Sequence, residues 1–409
     1  MKECISILLL CGILLLNCCN RDNEEEGLGL PKLLWKTSTS DNLLIKDQVA
    51  ADVQFDGGVL FDGMEEGKPC LYFLNASDGK IRWKWNDFFA PDEAWATVRH
   101  PYQNNSLLLV QIGTKRYCIN LSTGLSEWKK KNIGDFGTFA SGIGDIYYIP
   151  AKFFPNADGT YEGKILRGSL KNSSDEIVVT PNYARTYVDE NSSKGIVWSC
   201  FPTQSNSENF LLSIFDEPLP NYEANSYFGL YNLDLNIWEY DKIPFVLNTR
   251  YTVGIPIVNN GKIYNSGVNF LRSYELATGK FLWNSNLSNN ISSTDGWADG
   301  KILSTTQDRI THCIDPATGK ELWALTTSGN PSIIKELNGV AYFVGGNAKL
   351  FAIDVAAGKI LWQFDSPDIK TNSNAFFKQA VRVRAGENGG KGKVMVQSYL
   401  NAFCYEAAR

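Results

Sequence analysis

Histidine is scarce in this chain: His100 and His312 are the only two among 409 residues. That is too few for a zinc centre built mainly on imidazole ligands. Oxygen ligands offer another route to a metal. In Asn156–Gly163 (NADGTYEG), Asn156, Asp158 and Glu162 could present oxygens to calcium. Their number and spacing fall short of a calcium loop, and a wide hairpin turn accounts for the segment. Asp62–Gly67 (DGMEEG) reads as a solvated turn. There is no G-x-S-x-G elbow and no glycine loop suited to cradle phosphate. Of nine cysteines, Cys70, Cys118, Cys200, Cys313 and Cys404 lie beyond residue 20. An odd number cannot pair completely, and these five read as small buried residues. The residue types therefore point away from catalysis, with no catalytic residue, metal ligand or cofactor expected.

Binding residues are a different matter. Arg99 with His100, Arg250 with Tyr251, and Asp295 with Trp297 each sit just before a predicted innermost strand. Arginine and aromatic rings beside a carboxylate suit a protein hot spot or a sugar. The insertion Asp216–Ser226 (DEPLPNYEANS) is long for a hairpin connection, as functional loops often are.

The elements that would carry these residues are visible as a repeat. ASDGKIRW (Ala76–Trp83), LSTGLSEW (Leu121–Trp128), LATGKFLW (Leu276–Trp283), PATGKELW (Pro316–Trp323) and VAAGKILW (Val355–Trp362) each end a strand, turn on glycine and deliver a tryptophan. Trp283, Trp323 and Trp362 are 40 and 39 residues apart. Four short antiparallel strands per repeat, at about forty residues, are the pattern of propeller blades. Seven of the eleven tryptophans occupy the repeated position: Trp35, Trp83, Trp128, Trp238, Trp283, Trp323 and Trp362. One large ring per blade at a fixed station is what packing between blades requires, with a turn carbonyl of the next blade accepting from the indole N–H. Trp85, Trp95, Trp198 and Trp297 fall outside that position and remain as ligand candidates.

The 155 residues from Trp128 to Trp283 divide among three blades. Two of them are degenerate: one outer strand carries Trp238 in a turn without glycine, and in the other (Asp175–Thr180) Val178 replaces the tryptophan. At the C-terminus NAFCYE (Asn401–Glu406) matches KRYCIN (Lys115–Asn120) and lacks an outer strand. GLPKLLWKT (Gly29–Thr37) supplies it. The expected fold is all-β, an eight-bladed propeller closed by its N-terminal strand, with seven blades as the rival if the Val178 unit is incomplete.

LFAIDVAAGKILW (Leu350–Trp362) and HCIDPATGKELW (His312–Trp323) resemble the A-x-D-x-x-T-G-K-x-x-W phrase of the pyrroloquinoline-quinone-like propeller family. The resemblance spans nearly all of the chain after the N-terminus. It implies either a quinoprotein dehydrogenase or an enzymatically silent envelope scaffold. Many of the enzymes clamp their quinone with a vicinal disulfide and calcium; here the only adjacent cysteines are Cys18 and Cys19, so the resemblance favours the scaffold.

The N-terminus supplies an address. Ile5–Leu16 is an apolar run too short for a comfortable membrane span, and LNCCN (Leu16–Asn20) resembles a bacterial lipoprotein signal. Residues 1–18 read as the signal peptide and Cys19 as the lipidated residue, with Cys18 the alternative. Residues 19–28 form an acidic tether and 29–409 the propeller. Net charge is -5, which argues against nucleic acid. The expected protein is a monomeric propeller on the bacterial outer membrane, held there only by its lipid. On the periplasmic or the surface face it would bind an envelope protein or a glycan.

Overall fold

The computed structural model describes residues 29–41, 52–89, 101–112, 115–131, 135–136, 140–155, 161–179, 196–205, 208–218, 224–249, 256–329, 331–387 and 389–409. Residues 1–28, where the signal peptide, Cys19 and the tether are expected, lie outside them, as do 156–160 of the NADGTYEG segment; Glu162 falls in the strand Tyr161–Ser169, opposite Phe154. Within them the chain forms eight antiparallel sheets, the blades of a propeller, and no α-helix. None of the described helices is long and apolar enough to cross a membrane.

Blade 1 runs outward from Gln54–Phe55 through Gly58–Glu65 and Lys68–Asn75 to Ile81–Trp85, each strand pairing with the next. Blade 2 (102–131), blade 4 (196–249) and blade 7 (335–364) repeat this order. Blade 3 contains the Val178 strand, Asn172–Val179, as its outer member beside Tyr161–Ser169 and Ile146–Pro155. It is a full blade, so the ring has eight blades and the seven-bladed alternative is set aside.

Blades 5 and 6 share one long strand, Phe281–Ala298, whose first half is the outer strand of blade 5 and whose second half is the inner strand of blade 6. The sequence places the middle turn of blade 5 at Ser266–Gly267. The structure places it later, at Asn269, which has φ 65°. Ser266 is buried, and a Cβ on Gly267 would stand 2.4 Å from the Phe270 ring, so this pair belongs to the packed sheet. Asparagine tolerates the left-handed region better than most residues and takes the turn.

The ring closes at blade 8. Phe377–Arg384, Lys393–Ser398 and Asn401–Glu406 come from the C-terminus, and Leu33–Ser38 pairs with the last of them. Side chains alternate between the two faces of each blade, so neighbouring blades share apolar layers. Val340, Tyr342 and Val344 of blade 7 meet Val394, Val396 and Phe403 of blade 8. Blade 8 turns Trp35, Met395, Ala402 and Cys404 toward Val59, Phe61, Cys70 and Tyr72 of blade 1. Cys70, Cys118, Cys200, Cys313 and Cys404 are all buried and unbridged.

Candidate functional site

Each blade of a propeller reaches the ring interior with its innermost strand and touches its neighbours with its two faces. The repeated tryptophans belong to the faces. Trp35 donates its indole N–H to the Ala76 carbonyl of blade 1 at 3.1 Å. Trp83 donates to Leu121 at 2.9 Å, Trp128 to Leu170 at 2.8 Å, Trp283 to Pro316 at 3.2 Å and Trp323 to Val355 at 2.9 Å. Each acceptor is in the turn of the following blade. The glycine of that turn lets the ring approach: a Cβ on Gly79 would lie 2.7 Å from Trp35, and one on Gly319 2.5 Å from Trp283.

Blade 4 varies the scheme. Trp238 packs edge-on against Tyr231 of its own blade at 5.2 Å. The Tyr240 hydroxyl, two residues further on, donates to the Leu276 carbonyl of blade 5 at 2.8 Å. In blade 7, Trp362 is buried between Tyr342 and Phe364, in the layer that also holds Ala407.

Of the residues singled out for binding, Arg99, His100, Arg250 and Tyr251 lie outside the described residues, as does Trp95. Asp295 and Trp297 fall within the inner strand of blade 6, opposite Ser304 and Ile302, and not ahead of it. The hairpin turn at Asp299–Gly300 comes late enough to include them. Trp297 is half-buried with its ring 5.9 Å from Tyr264 of blade 5. Trp85 is buried between blades 1 and 2, edge-on to Tyr117 and bonded to the Ser126 hydroxyl at 3.0 Å. Both rings thus have packing roles outside the repeated position. The strands Glu208–Pro218 and Ala224–Asn232 run into the long insertion and leave only 219–223 of it outside the described residues.

The polar groups that the structure gathers on inner strands are different ones, clustered where the ring closes. Lys335 of blade 7 makes a 3.0 Å ion pair with Asp52 at the start of blade 1. Gln54 donates to Asp52 at 2.7 Å and to the Val383 carbonyl of blade 8 at 2.9 Å. Gln103 of blade 2 donates to the Gln54 carbonyl at 2.8 Å. Polar side chains thereby tie four consecutive blades together at their inner strands. Just behind this belt, Lys378 of blade 8 pairs with Asp62 of blade 1 at 2.8 Å, and both are largely buried. Arg382, on the same strand as Lys378, is fully buried. Burial pushes its guanidinium down to about 10, against the pull of Asp52 and Asp62, so it stays charged at neutral pH. Sequence reasoning missed this group. The signal was there in FKQAVRVR (Phe377–Arg384), where basic residues alternate with valines on a strand flanked by core.

Among the described residues no three His, Cys, Asp or Glu side chains are grouped to hold a metal ion. The arrangement is instead a belt of ion pairs and amide hydrogen bonds that ties the inner strands together where the ring closes.

Residues 268–399 match the family model described as "Outer membrane protein assembly factor BamB". A tetrathionate hydrolase from Acidithiobacillus ferrooxidans is 26% identical over 266 residues, covering 62% of this chain and 48% of that protein; the match thus spans about half the length of this curated relative. BamB from Moraxella catarrhalis superposes with a TM-score of 0.55 at 12% identity, covering 92% of this chain and all of that one. A quinohemoprotein alcohol dehydrogenase from Pseudomonas putida superposes at 0.59 with 11% identity, covering 92% and 77%. At such identities the superpositions speak for the fold alone. Eight blades, the tryptophan-to-turn contact between them and the match over residues 268–399 together support a PQQ-like β-propeller.

Proposed function

We propose that the protein is a lipid-anchored scaffold of the bacterial cell envelope that binds another protein and carries out no reaction. The observation that carries this reading is the match of residues 268–399 to the BamB family model, on a ring of the same architecture as BamB. The anchor is Cys19 and the membrane the outer one. The binding surface is formed by the segments leading into the inner strands, with Arg99, His100, Arg250 and Tyr251 as its contacts and Asp295 and Trp297 on the neighbouring strand. Photo-crosslinking residues placed at positions 99 and 250 in living cells test this. They should capture the same envelope protein, while one at Lys320, on an exposed outer turn, should capture none. No capture from positions 99 and 250 would remove the proposal. A glycan as the ligand would leave those positions uncrosslinked to protein and would show as retention on an envelope polysaccharide column.

A second reading is favoured by one observation, the tetrathionate hydrolase relative. On it the ring would host hydrolysis of a sulfur oxyanion. Purified protein that leaves tetrathionate unconsumed over the acid to neutral range would dispose of this reading.

A further inference from the structure

The guanidinium of Arg382 is the least satisfied polar group in the described residues. Its Nε, Nη1 and Nη2 are all buried and none has a hydrogen-bond partner. One face of the group is covered by the Phe61 ring, 4.4 Å from Cζ. A covered face leaves the N–H groups pointing outward in the guanidinium plane, the fork that matches two oxygens of an anion.

The surrounding charges do not fill that fork. Two carboxylates act on Arg382, those of Asp52 and Asp62. Each already has a cation of its own, Asp52 in Lys335 and Asp62 in Lys378. Asp52 also accepts from Gln54, and Gln397 donates to the Asp62 carbonyl and, at 3.0 Å, to Thr39. Three cations thus face two carboxylates. The remaining positive charge sits on the one group with no hydrogen bond. A buried charge without partners is strongly unfavourable, and such groups in folded proteins are matched by an ion or ordered water. Phe61 belongs to blade 1 and Arg382 to blade 8, so this guanidinium lies in the joint between the two blades.

We propose that the joint between blades 8 and 1 holds a small oxyanion, of carboxylate or of sulfate and phosphate type, on the forked N–H groups of Arg382. Lys378 stays paired with Asp62 beside it, so the site offers one net positive charge. The oxyanion completes the charge balance of the joint and bridges its two blades. This assignment is independent of the scaffold proposal, since it needs no protein partner.

The test uses the purified full-length protein. Thermal stability is followed during titration with sodium sulfate and, separately, with sodium acetate, each at ionic strength matched with sodium chloride. Crystals or frozen grids are also prepared in selenate or sulfate to see what lies beside Arg382. The expected result is a saturable rise in melting temperature with at least one of the two anions. Which anion acts tells tetrahedral from planar. In R382M the apparent affinity should fall at least about ten-fold, while R382K should keep part of it. Density for the anion should appear within hydrogen-bond reach of the guanidinium. Sulfate also stabilises proteins in general by exclusion from their surface, and R382M reports that background. An equal, unsaturable rise in wild type and R382M would overturn the proposal. So would water alone beside Arg382 at saturating anion. If R382M does not fold, the density beside Arg382 in the wild type decides.

Discussion

At the scale of the residue, the tryptophan and the glycine of the repeat are one device. The indole gives area and an N–H donor. The glycine gives both a left-handed backbone and the space for the ring. Gly319 has φ 72°, and its missing Cβ position lies 2.5 Å from Trp283. Gly319→Ala therefore meets backbone strain and a collision together, and should cost about 2 kcal/mol or more, measured by denaturant unfolding. Gly300 also has a positive φ, 70°, but faces open space, so Gly300→Ala should carry only the backbone part. Equal costs at the two positions would refute the close-approach argument. Trp323→Phe keeps a ring but leaves the Val355 carbonyl without its donor, for an expected loss of about 1–3 kcal/mol. The sequence made this device legible because its parts recur at fixed spacing. It could not show that Tyr240 supplies the donor in blade 4, because a hydroxyl two residues along on a degenerate strand leaves no periodic mark.

At the scale of the element, the outer strand Leu33–Ser38 is held at more than its backbone ladder. Lys36 pairs with Asp368 at 2.7 Å. Asp368 sits in the short 3-10 turn Pro367–Lys370 and also accepts from the Ser398 hydroxyl at 2.6 Å and the Asn401 amide at 2.7 Å. Burial of this carboxyl works against its charge. The bonds from Asn401, Lys36 and Ser398 outweigh burial and hold its pKa below the ordinary 3.8. A carboxylate with a lowered native pKa contributes stability above its unfolded value and loses it as pH falls through the native one. Acidification below about pH 4 should therefore loosen the closing strand. Asp368→Asn should be less stable than wild type at pH 7, and the gap should narrow toward pH 3, as followed by melting temperature across that range. A constant gap would mean that the carboxylate charge is not what holds the strand. The pairing of first and last segments was readable because Trp35 fits the repeat and NAFCYE lacks an outer partner. The 3-10 anchor was not, since Asp368 reaches Lys36 across 332 positions and nothing local marks the contact. The same holds for the inner belt: Lys335, Asp52 and Gln54 are ordinary surface types in sequence, and only the ring brings them together.

At the scale of the whole molecule, the seam in blade 8 between Leu33–Ser38 and Asn401–Glu406 differs from the rest of the ring. Elsewhere the outer strand of a blade follows its neighbour through a continuous turn, so a parted pair still has its ends tethered at short range. Here Leu33–Ser38 is added to blade 8 by contacts alone, and its return after opening carries the entropy of closing a very long loop. When Leu33–Ser38 leaves, blade 1 leaves with it, and the joint between blades 8 and 1 opens. Opening should therefore begin here. The buried cysteines give a way to watch it, since burial pushes their thiols up to about 12 and keeps them from reacting. Cys70 and Cys404 line the joint, Cys118 lies between blades 2 and 3, and Cys313 between blades 6 and 7. Trp35→Ala removes the ring at the joint and its bond to Ala76, at an expected cost of about 3–5 kcal/mol. Under mild heating that variant should react with a thiol reagent first at Cys70 and Cys404, located by peptide mapping, while Cys118 and Cys313 stay protected. Trp323→Ala, which damages the tethered interface between blades 6 and 7, should expose Cys313 only in the global transition. Simultaneous labelling of all four thiols in Trp35→Ala would mean that the ring opens as a single cooperative unit and that its closure is no weaker than its tethered joints.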